Sequence, residues 1–377
     1  MMQSPGWAFT LLAFLIVIGP LIFVHELGHY FVGRWFGVKA EAFSIGFGRA
    51  IFGWTDKRGT LWKVGWLPLG GYVKFAGDMN PAGVPSKEWL ALPEEERRKT
   101  FQARSLWQRF LIVAAGPVTN FVFAILLFMG IFAAIGYPTT PAVVTAIVED
   151  SPAAEAGIRA GDRILSVDGI ELGTFEELKS YVLLRPAQRM ELVIERDGDP
   201  LRVSVTTRAS ELEDQFGNRM RVGTLGVASD AVVIERLPVQ QLPVQAVRQT
   251  FGTLEAITLT LGQLVLGERS VQELGGPLKM AQVSGQQASL GWLPLLWLMA
   301  VVSINLGFIN LLPVPMLDGG HLLFYAIEAV RRKPLRPEAQ EWAFRAGLAA
   351  LLMLMIFVTL NDLASFGLWT RLGSLIG

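Results

Sequence analysis

No charged residue occurs in the 38 positions from Leu111 to Val148. A soluble chain draws about one-quarter of its residues from Asp, Glu, Lys and Arg, so a run of this length calls for an apolar solvent. Three shorter runs repeat the pattern: Ala8–Val24, Leu290–Leu317 and Ala346–Leu360 are all uncharged. Roughly 20 apolar residues carry a helix across a bilayer. The first span is expected to continue through Tyr30 and Phe31, and the second to cover Phe110–Tyr137. The third is expected over Leu290–Leu317, and the fourth is lengthened by Trp342–Phe344 and a snorkelling Arg345. The first is read as a retained span rather than a cleaved signal, because Met1–Gly6 carries no Lys or Arg. With 51% hydrophobic and 18% charged residues, the chain reads as membrane spans plus some soluble mass.

Charge then orients the spans. Between Val32 and Arg109 there are 13 Lys/Arg against 7 Asp/Glu, and between Tyr137 and Asp230 there are 10 against 16. The stretch Glu328–Arg345 holds 5 basic and 3 acidic residues. Basic residues close to span ends mark the cytoplasmic side. Both basic loops therefore face the cytoplasm, while the acidic central domain and both termini face outward. The net charge of zero averages two unlike compartments, and it gives no support to nucleic-acid binding.

Chemistry is bounded by scarcity. There is no cysteine, which removes disulfides, thiolate zinc ligands and a thiol nucleophile. Histidine occurs only at 25, 29 and 321. Two of the three fall in His25-Glu26-Leu27-Gly28-His29, an H-E-x-x-H pattern toward the cytoplasmic end of the first span. Positions i and i+4 of a helix differ by about 40° in direction and 6 Å in height, so both imidazoles reach one metal. Glu26 lies beside them, able to serve a metal-bound water as general base. Two imidazoles and a carboxylate in hydrocarbon are costly unless partnered, so a polar cluster at this depth is a functional site by default. Catalytic zinc usually takes three protein ligands. The pattern leaves two candidates for the third, Asp318 and His321, which follow the third span on the cytoplasmic side. Asp362 lies near the opposite face.

At these residues the sequence resembles the site-2 protease family of intramembrane zinc metalloproteases, in its bacterial regulator-of-sigma-E protease group. The motifs are HELGH at 25–29, FSIGFG at 43–48, PLGGYVKFAGD at 68–78, GPVTNF at 116–121 and NLLPVPMLDGGH at 310–321. The resemblance implies Zn2+ held by His25, His29 and Asp318, with His321 a neighbour. It implies Glu26 as catalytic base and an active-site role for Asn310, which the residues alone also allow as a partner for backbone freed at Pro313 and Pro315. Asn120 is expected as polar glue between helices. The implied substrates are single-span membrane proteins of the anti-sigma-factor or signal-peptide type, in regulated intramembrane proteolysis in a bacterial inner membrane.

Between the first two spans, Phe43, Ile45 and Phe47 alternate with Ser44, Gly46 and Gly48, and Leu61–Trp66 and Leu69–Val73 add short apolar runs, which read as strands. The resemblance makes this a re-entrant β element beside the active site, with Gly46, Phe47, Gly70 and Gly71 binding substrate; an edge strand there would pair with an extended chain. In the outer domain, Gly157–Asp162 forms a turn and Ile164–Val167 a strand closed by Asp168-Gly169. Thr174–Leu184 reads as a helix capped by Thr174 with Glu177, and Met190–Arg196 and Leu201–Thr207 as a hairpin about Asp197-Gly198-Asp199. This order resembles a single circularly permuted PDZ domain of the bacterial protease type. Its carboxylate-binding loop is then Thr224–Val227, with Leu225 and Gly226 meeting a peptide C-terminus. A size filter against bulky substrates is the preferred use, ahead of peptide capture. Val244–Leu266 carries an apolar stripe at helical spacing, interrupted by Arg248, Glu255 and Gln263, and reads as an amphipathic helix on the outer leaflet rather than a fifth span.

The expected fold class is a polytopic α-helical membrane protein of four transmembrane helices, with a re-entrant β element and an inserted α+β permuted PDZ domain. Its parts are a first transmembrane helix with HExxH (1–36), a cytoplasmic-side β region and loop (37–105), a second transmembrane helix (106–137), the extracytoplasmic PDZ domain (138–230), a linker with an amphipathic helix (231–289), a third transmembrane helix with the LDG motif (290–332), and a loop with the fourth (333–377). Expected partners are single-span substrates, the lipid bilayer and a peptide C-terminus at the PDZ domain, with no nucleic acid. Two rivals remain: a catalytically silent PDZ-bearing scaffold, and a metal transporter, which would want ligands spread along a path rather than at one depth.

Overall fold

The computed structural model describes residues 6–77, 93–213, 219–266 and 275–365. The stretch 78–92 of the predicted β region and loop, 267–274 of the linker and 366–377 after the fourth span lie outside the described residues. From the N-terminus come α1 (Trp7–Trp35), β1 (Ala40–Thr55), β2 (Leu61–Phe75), the single turn α2 (Glu94–Arg97) and α3 (Leu106–Ile135). There follow β3 (Tyr137–Thr139), β4 (Ala146–Ile147), α4 (Pro152–Glu155), β5 (Arg163–Val167), β6 (Ile170–Glu171) and α5 (Phe175–Leu183). Next are β7 (Arg189–Arg196), β8 (Asp199–Thr206), β9 (Arg208–Glu213), β10 (Arg219–Thr224), β11 (Val227–Ala228) and β12 (Val233–Glu235). Last come α6 (Leu242–Val265), α7 (Pro277–Leu290), α8 (Trp292–Leu311), α9 (Asp318–Arg331) and α10 (Pro337–Ser365). The chain divides into two compact units, one holding Phe132–Leu242 and the other most of the remainder.

Among the described residues four helices are long and apolar enough to cross a membrane: α1, α3, α8 and Glu338–Leu363 within α10. Their outward surfaces are Leu, Ile, Phe and Met, as at Leu11, Ile16, Leu352 and Phe357, all exposed. These surfaces suit lipid. Inside the unit, α1 buries Thr10, Ala13, Phe14, Val17, Leu21, His25 and Gly28, a stripe at helical spacing.

Two expectations about the later helices need correction. The third span stops at Leu311, six residues before Leu317. Leu312 turns extended (φ −63°, ψ 141°), because Pro313 and Pro315 cannot continue a helix. The LDG aspartate therefore does not sit on that span; it opens the separate helix α9. The predicted linker 231–289 also holds a second helix, α7, packed against α1 and α8. Its sequence is too polar for a span and has no apolar stripe, so periodicity gave no signal for it.

β1 and β2 fold into one ribbon. Asp56 closes their turn by accepting from the Arg58 and Thr60 backbone N–H groups and the Trp62 indole. Ala42–Ile45 finds partners on both sides, Leu61–Val64 on one and Gly71–Lys74 on the other. That makes it an interior strand, and Gly71–Phe75 an outer one. The predicted alternation at 43–48 therefore does not mean one wet face: Ser44 is as fully buried as Phe43. Phe43 packs edge-on against Phe23 and Tyr30 of α1 and stacks on Trp62, which docks the ribbon to the helix.

The second unit centres on an antiparallel sheet in the order β6-β5-β7-β8. Two-stranded pairs β4–β11, β3–β12 and β9–β10 stand outside that sheet. Its core is Ile164, Leu178, Met190, Leu192, Ile194 and Leu225, with their buried neighbours. Two local signals appear where the sequence puts them. Thr174 and Glu177 form the reciprocal capping box of α5. Asp197 and Gly198 both take positive φ in the β7–β8 turn.

Candidate metal centre

His25 and His29 project from the same face of α1, and the Nε2 atoms of the two rings lie 3.3 Å apart. Asp318, the first residue of α9, brings Oδ2 to 3.2 Å from His25 Nε2 and 3.5 Å from His29 Nε2. All three ligand atoms fall within 4.8 Å of one another. That Oδ2 is buried and has no hydrogen-bond partner. Two imidazole nitrogens and an orphaned carboxylate oxygen converging on one point form an N,N,O donor set suited to a divalent cation.

Two close approaches explain the glycines of the motifs. A Cβ on Gly116 would lie 2.2 Å from His29 Nε2, so only glycine on α3 leaves room for that ring. A Cβ on Gly319 would lie 2.2 Å from the Leu312 carbonyl oxygen, so its absence lets the start of α9 close onto the end of α8 and carry Asp318 inward.

The far nitrogens of both imidazoles are held as well. A histidine that offers Nε2 to a metal carries its proton on Nδ1. His29 Nδ1 lies 2.9 Å from the Ile112 carbonyl of α3, which accepts that proton. His25 Nδ1 lies 3.1 Å from the side-chain nitrogen of Asn120, while Asn120 Oδ1 is buried without a partner. Exchanging the two ends of the amide, which share one shape, satisfies both groups: Asn120 accepts from His25. The residue expected as helix glue thus orients a ligand. Its backbone carbonyl also accepts from Ser303 Oγ of α8 at 2.8 Å, so the glue is real too.

Glu26, one residue after His25, is only 8% exposed. The backbone of Val73 in β2 lies beside its carboxylate. β2 comes this close because position 71 is glycine; a Cβ there would lie 2.9 Å from Glu26 Cγ and 2.8 Å from Ile22 Cγ2. Among the other predicted residues, Gly70 lies against the Phe47 ring, and Gly46, at φ +83°, sits where β1 approaches the Leu67 and Gly65 carbonyls. Asn310 is on the last turn of α8, partly exposed, and among the described residues no hydrogen bond joins it to the metal ligands. His321 packs beside Phe344, at 5.2 Å between ring centroids, rather than joining the ligands. In the second unit Leu225 is a core residue at 3% exposure, and Gly226 takes φ +78° beside Ser151. Both line a cavity of about 640 Å³ that runs along α5.

The sequence profile of peptidase family M50 matches residues 13–354. The chain belongs to peptidase family M50. A protein of Agrobacterium fabrum, provisionally named a zinc metalloprotease, is 44% identical over 357 residues, covering 93% of this chain and 95% of that one. Metalloprotease MmpA of Caulobacter vibrioides is 38% identical over 394 residues, covering 98% and 99%. The PDZ domain of an SdrC-like protein from Listeria innocua matches 25% of this chain at 19% identity and a TM-score of 0.20, a likeness that carries no argument. The M50 peptidase is a metalloprotease whose metal is zinc, and His25, His29 and Asp318 fit that ion by donor type and convergence.

Proposed function

We propose that this M50 metalloprotease hydrolyses peptide bonds within or next to the membrane spans of single-span proteins, of the anti-sigma-factor or signal-peptide type. The observation that carries the reading is depth. His25 lies 18 residues after Trp7 on an apolar helix, on the order of 27 Å along its axis, and Glu26, His29 and Asp318 gather at the same level. With the basic loops in the cytoplasm of a bacterial inner membrane, that level is the cytoplasmic side.

Zinc, when bound, makes a water molecule acidic near neutral pH and polarises the scissile carbonyl. The protein's own groups do the rest. Asn120 and the Ile112 carbonyl hold both imidazoles with Nε2 facing inward. Glu26, beside the Val73 backbone, takes the proton from the attacking water and delivers it to the leaving amine. A helical substrate hides its peptide bonds, so it must be extended to react. The outer strand Gly71–Phe75 offers an edge to pair with such a chain, and the residue that faces Glu26 is the one without a side chain. Gly46, Phe47 and Gly70 shape the same re-entrant ribbon. Asn310, on the last turn of α8, reaches the oxyanion once substrate is present.

We read the second unit as one permuted PDZ domain on the extracytoplasmic side. The support is internal: β11 pairs with β4, the Thr224–Val227 loop precedes β11, and α5 walls the cavity beside it. It excludes bulky ectodomains and accepts trimmed chain ends. A silent scaffold has no use for a buried Glu26 beside the metal.

The test is cleavage of a tagged single-span reporter, trimmed outside, in liposomes. Glu26→Gln should keep one zinc per chain and lose on the order of 1,000-fold in turnover. Equal cleavage by Glu26→Gln and the unaltered chain would sink the mechanism.

A further inference from the structure

α9 carries Asp318 at its first residue, yet it inherits no orientation from the span before it. α8 ends at Leu311, and residues 312–317 between the two helices are not helical. Met316 among them stands at φ +87°, the left-handed region that side chains avoid. Gly319 and Gly320 bring the start of α9 close to the Leu312 and Val314 carbonyls. Rotation of α9 about its own axis would still swing the carboxylate off the two imidazoles, so the rest of the helix has to be held elsewhere.

The hold is a three-residue group between α9 and α3. Tyr325 follows Asp318 by seven residues, about two turns, so both lie on one side of α9. It is buried in the cluster that contains Tyr30 of α1 and Ile112 of α3. The Arg109 guanidinium of α3 lies 5.1 Å from the centroid of the Tyr325 ring, and Arg109 Nη2 lies 3.7 Å from Glu328 Oε2. Arg109 Nε is buried without a hydrogen-bond partner, which leaves Glu328 and the ring to offset its charge. The Glu328 side chain is only 11% exposed, so water screens this pair less than a surface one. Glu328 Oε1 accepts from the Leu335 N–H at 3.1 Å, which ties the end of α9 to the chain entering α10.

Arg109 also begins the face of α3 that serves the metal centre. Ile112, Gly116 and Asn120 follow it at helical spacing; the first accepts from His29, the second leaves room for its ring and the third meets His25. We propose that Arg109, Tyr325 and Glu328 form a positioning clamp that locks α9 against α3 and so fixes Asp318 opposite His25 and His29. Tyr325 and Glu328 stand about 10 and 15 Å along α9 from Asp318, beyond reach of the ion. They act through the helix, and a displacement of about 1 Å at a reacting centre costs on the order of 100-fold. The inference rests on Asp318 as a ligand and goes beyond it to what holds that ligand in place.

The test uses the full chain in detergent micelles. Glu328→Gln keeps an acceptor for the Leu335 N–H and removes only the charge. Arg109→Met keeps a long side chain and removes the cation, whereas Arg109→Lys keeps the cation. Glu328→Gln and Arg109→Met should each weaken zinc binding by roughly tenfold in competition with a chelator. Both should also shift the visible spectrum of the cobalt-substituted protein, which reports ligand geometry without turnover. Arg109→Lys should lose clearly less than Arg109→Met. Reporter cleavage should fall in kcat with KM unchanged. Unaltered zinc affinity and cobalt spectrum in Glu328→Gln and Arg109→Met overturn the clamp, and so do equal losses in Arg109→Met and Arg109→Lys. Asp318→Asn, measured beside them, separates the two inferences. Zinc retained there removes the ligand reading and the clamp with it; zinc lost there but held unchanged by the clamp variants removes the clamp alone.

Discussion

Two aspartates, Asp162 and Asp318, show how differently the two units treat a carboxylate. Asp162 in the second unit is 1% exposed and fully partnered. It accepts from Arg196 Nε and Nη2 at 2.8 and 2.7 Å and from the Arg159 backbone at 2.7 Å. Asp318 in the helical unit has Oδ2 buried with only imidazole Nε2 atoms beside it and no hydrogen bond. A satisfied buried charge is part of the frame. An unsatisfied one facing two imidazoles is a place held for a cation. The difference separates a structural aspartate from a metal-facing one without reference to any motif.

The strongest way to break this contrast is to neutralise each carboxylate. Asp318→Asn should release zinc and lower turnover by on the order of 1,000-fold or more, while the protein stays folded. Zinc analysis and reporter cleavage on the same sample check it. Full zinc retention in that variant would end the claim that Asp318 is a ligand.

A finer test moves one step outward from the ligands. Asn120→Leu leaves His25 Nδ1 without an acceptor and should weaken zinc binding by roughly 10- to 100-fold. Asn120→Asp keeps an acceptor oxygen and should recover most of that loss. Competition with a zinc chelator reads both, independently of turnover. Equal affinities for the leucine and aspartate variants would make Asn120 helix glue alone.

These tests also mark what the sequence made legible. His25, Glu26 and His29 could be read directly, because they lie on one regular helix where spacing is geometry. Asp318 could not be separated from His321 by spacing, since two prolines break the chain just before it and the new helix begins at the aspartate itself. The family motif resolved that choice. Asn120 was placed on its helix but not in its role, because its partner His25 lies on another helix and no local pattern links them. α7 leaves no periodic signal, because its buried contacts are the small residues Ser284 and Gly285 and the rest of its sequence is polar enough to resemble a linker. The capping box of α5 and the β7–β8 turn were legible because each is decided within a few residues.

The smallest expected effect on turnover belongs to Asp162. Arg196 and the Arg159 N–H hold its pKa below the ordinary 3.8. A carboxylate depressed in the folded state contributes stability that is fully present above its unfolded pKa and is lost as pH falls through its folded one. The second unit should therefore hold steady at neutral pH and weaken only below about pH 4. Asp162→Asn should remove about 2 kcal/mol at neutral pH and abolish that acid dependence. Hydrogen exchange at β5 and β7, the strands that carry Arg163–Val167 and Arg189–Arg196, reads the loss locally. Zinc content should not change, because this aspartate's partners are all within its own unit. An Asp162→Asn protein that kept its exchange protection but shed zinc would reverse the assignment of the two aspartates.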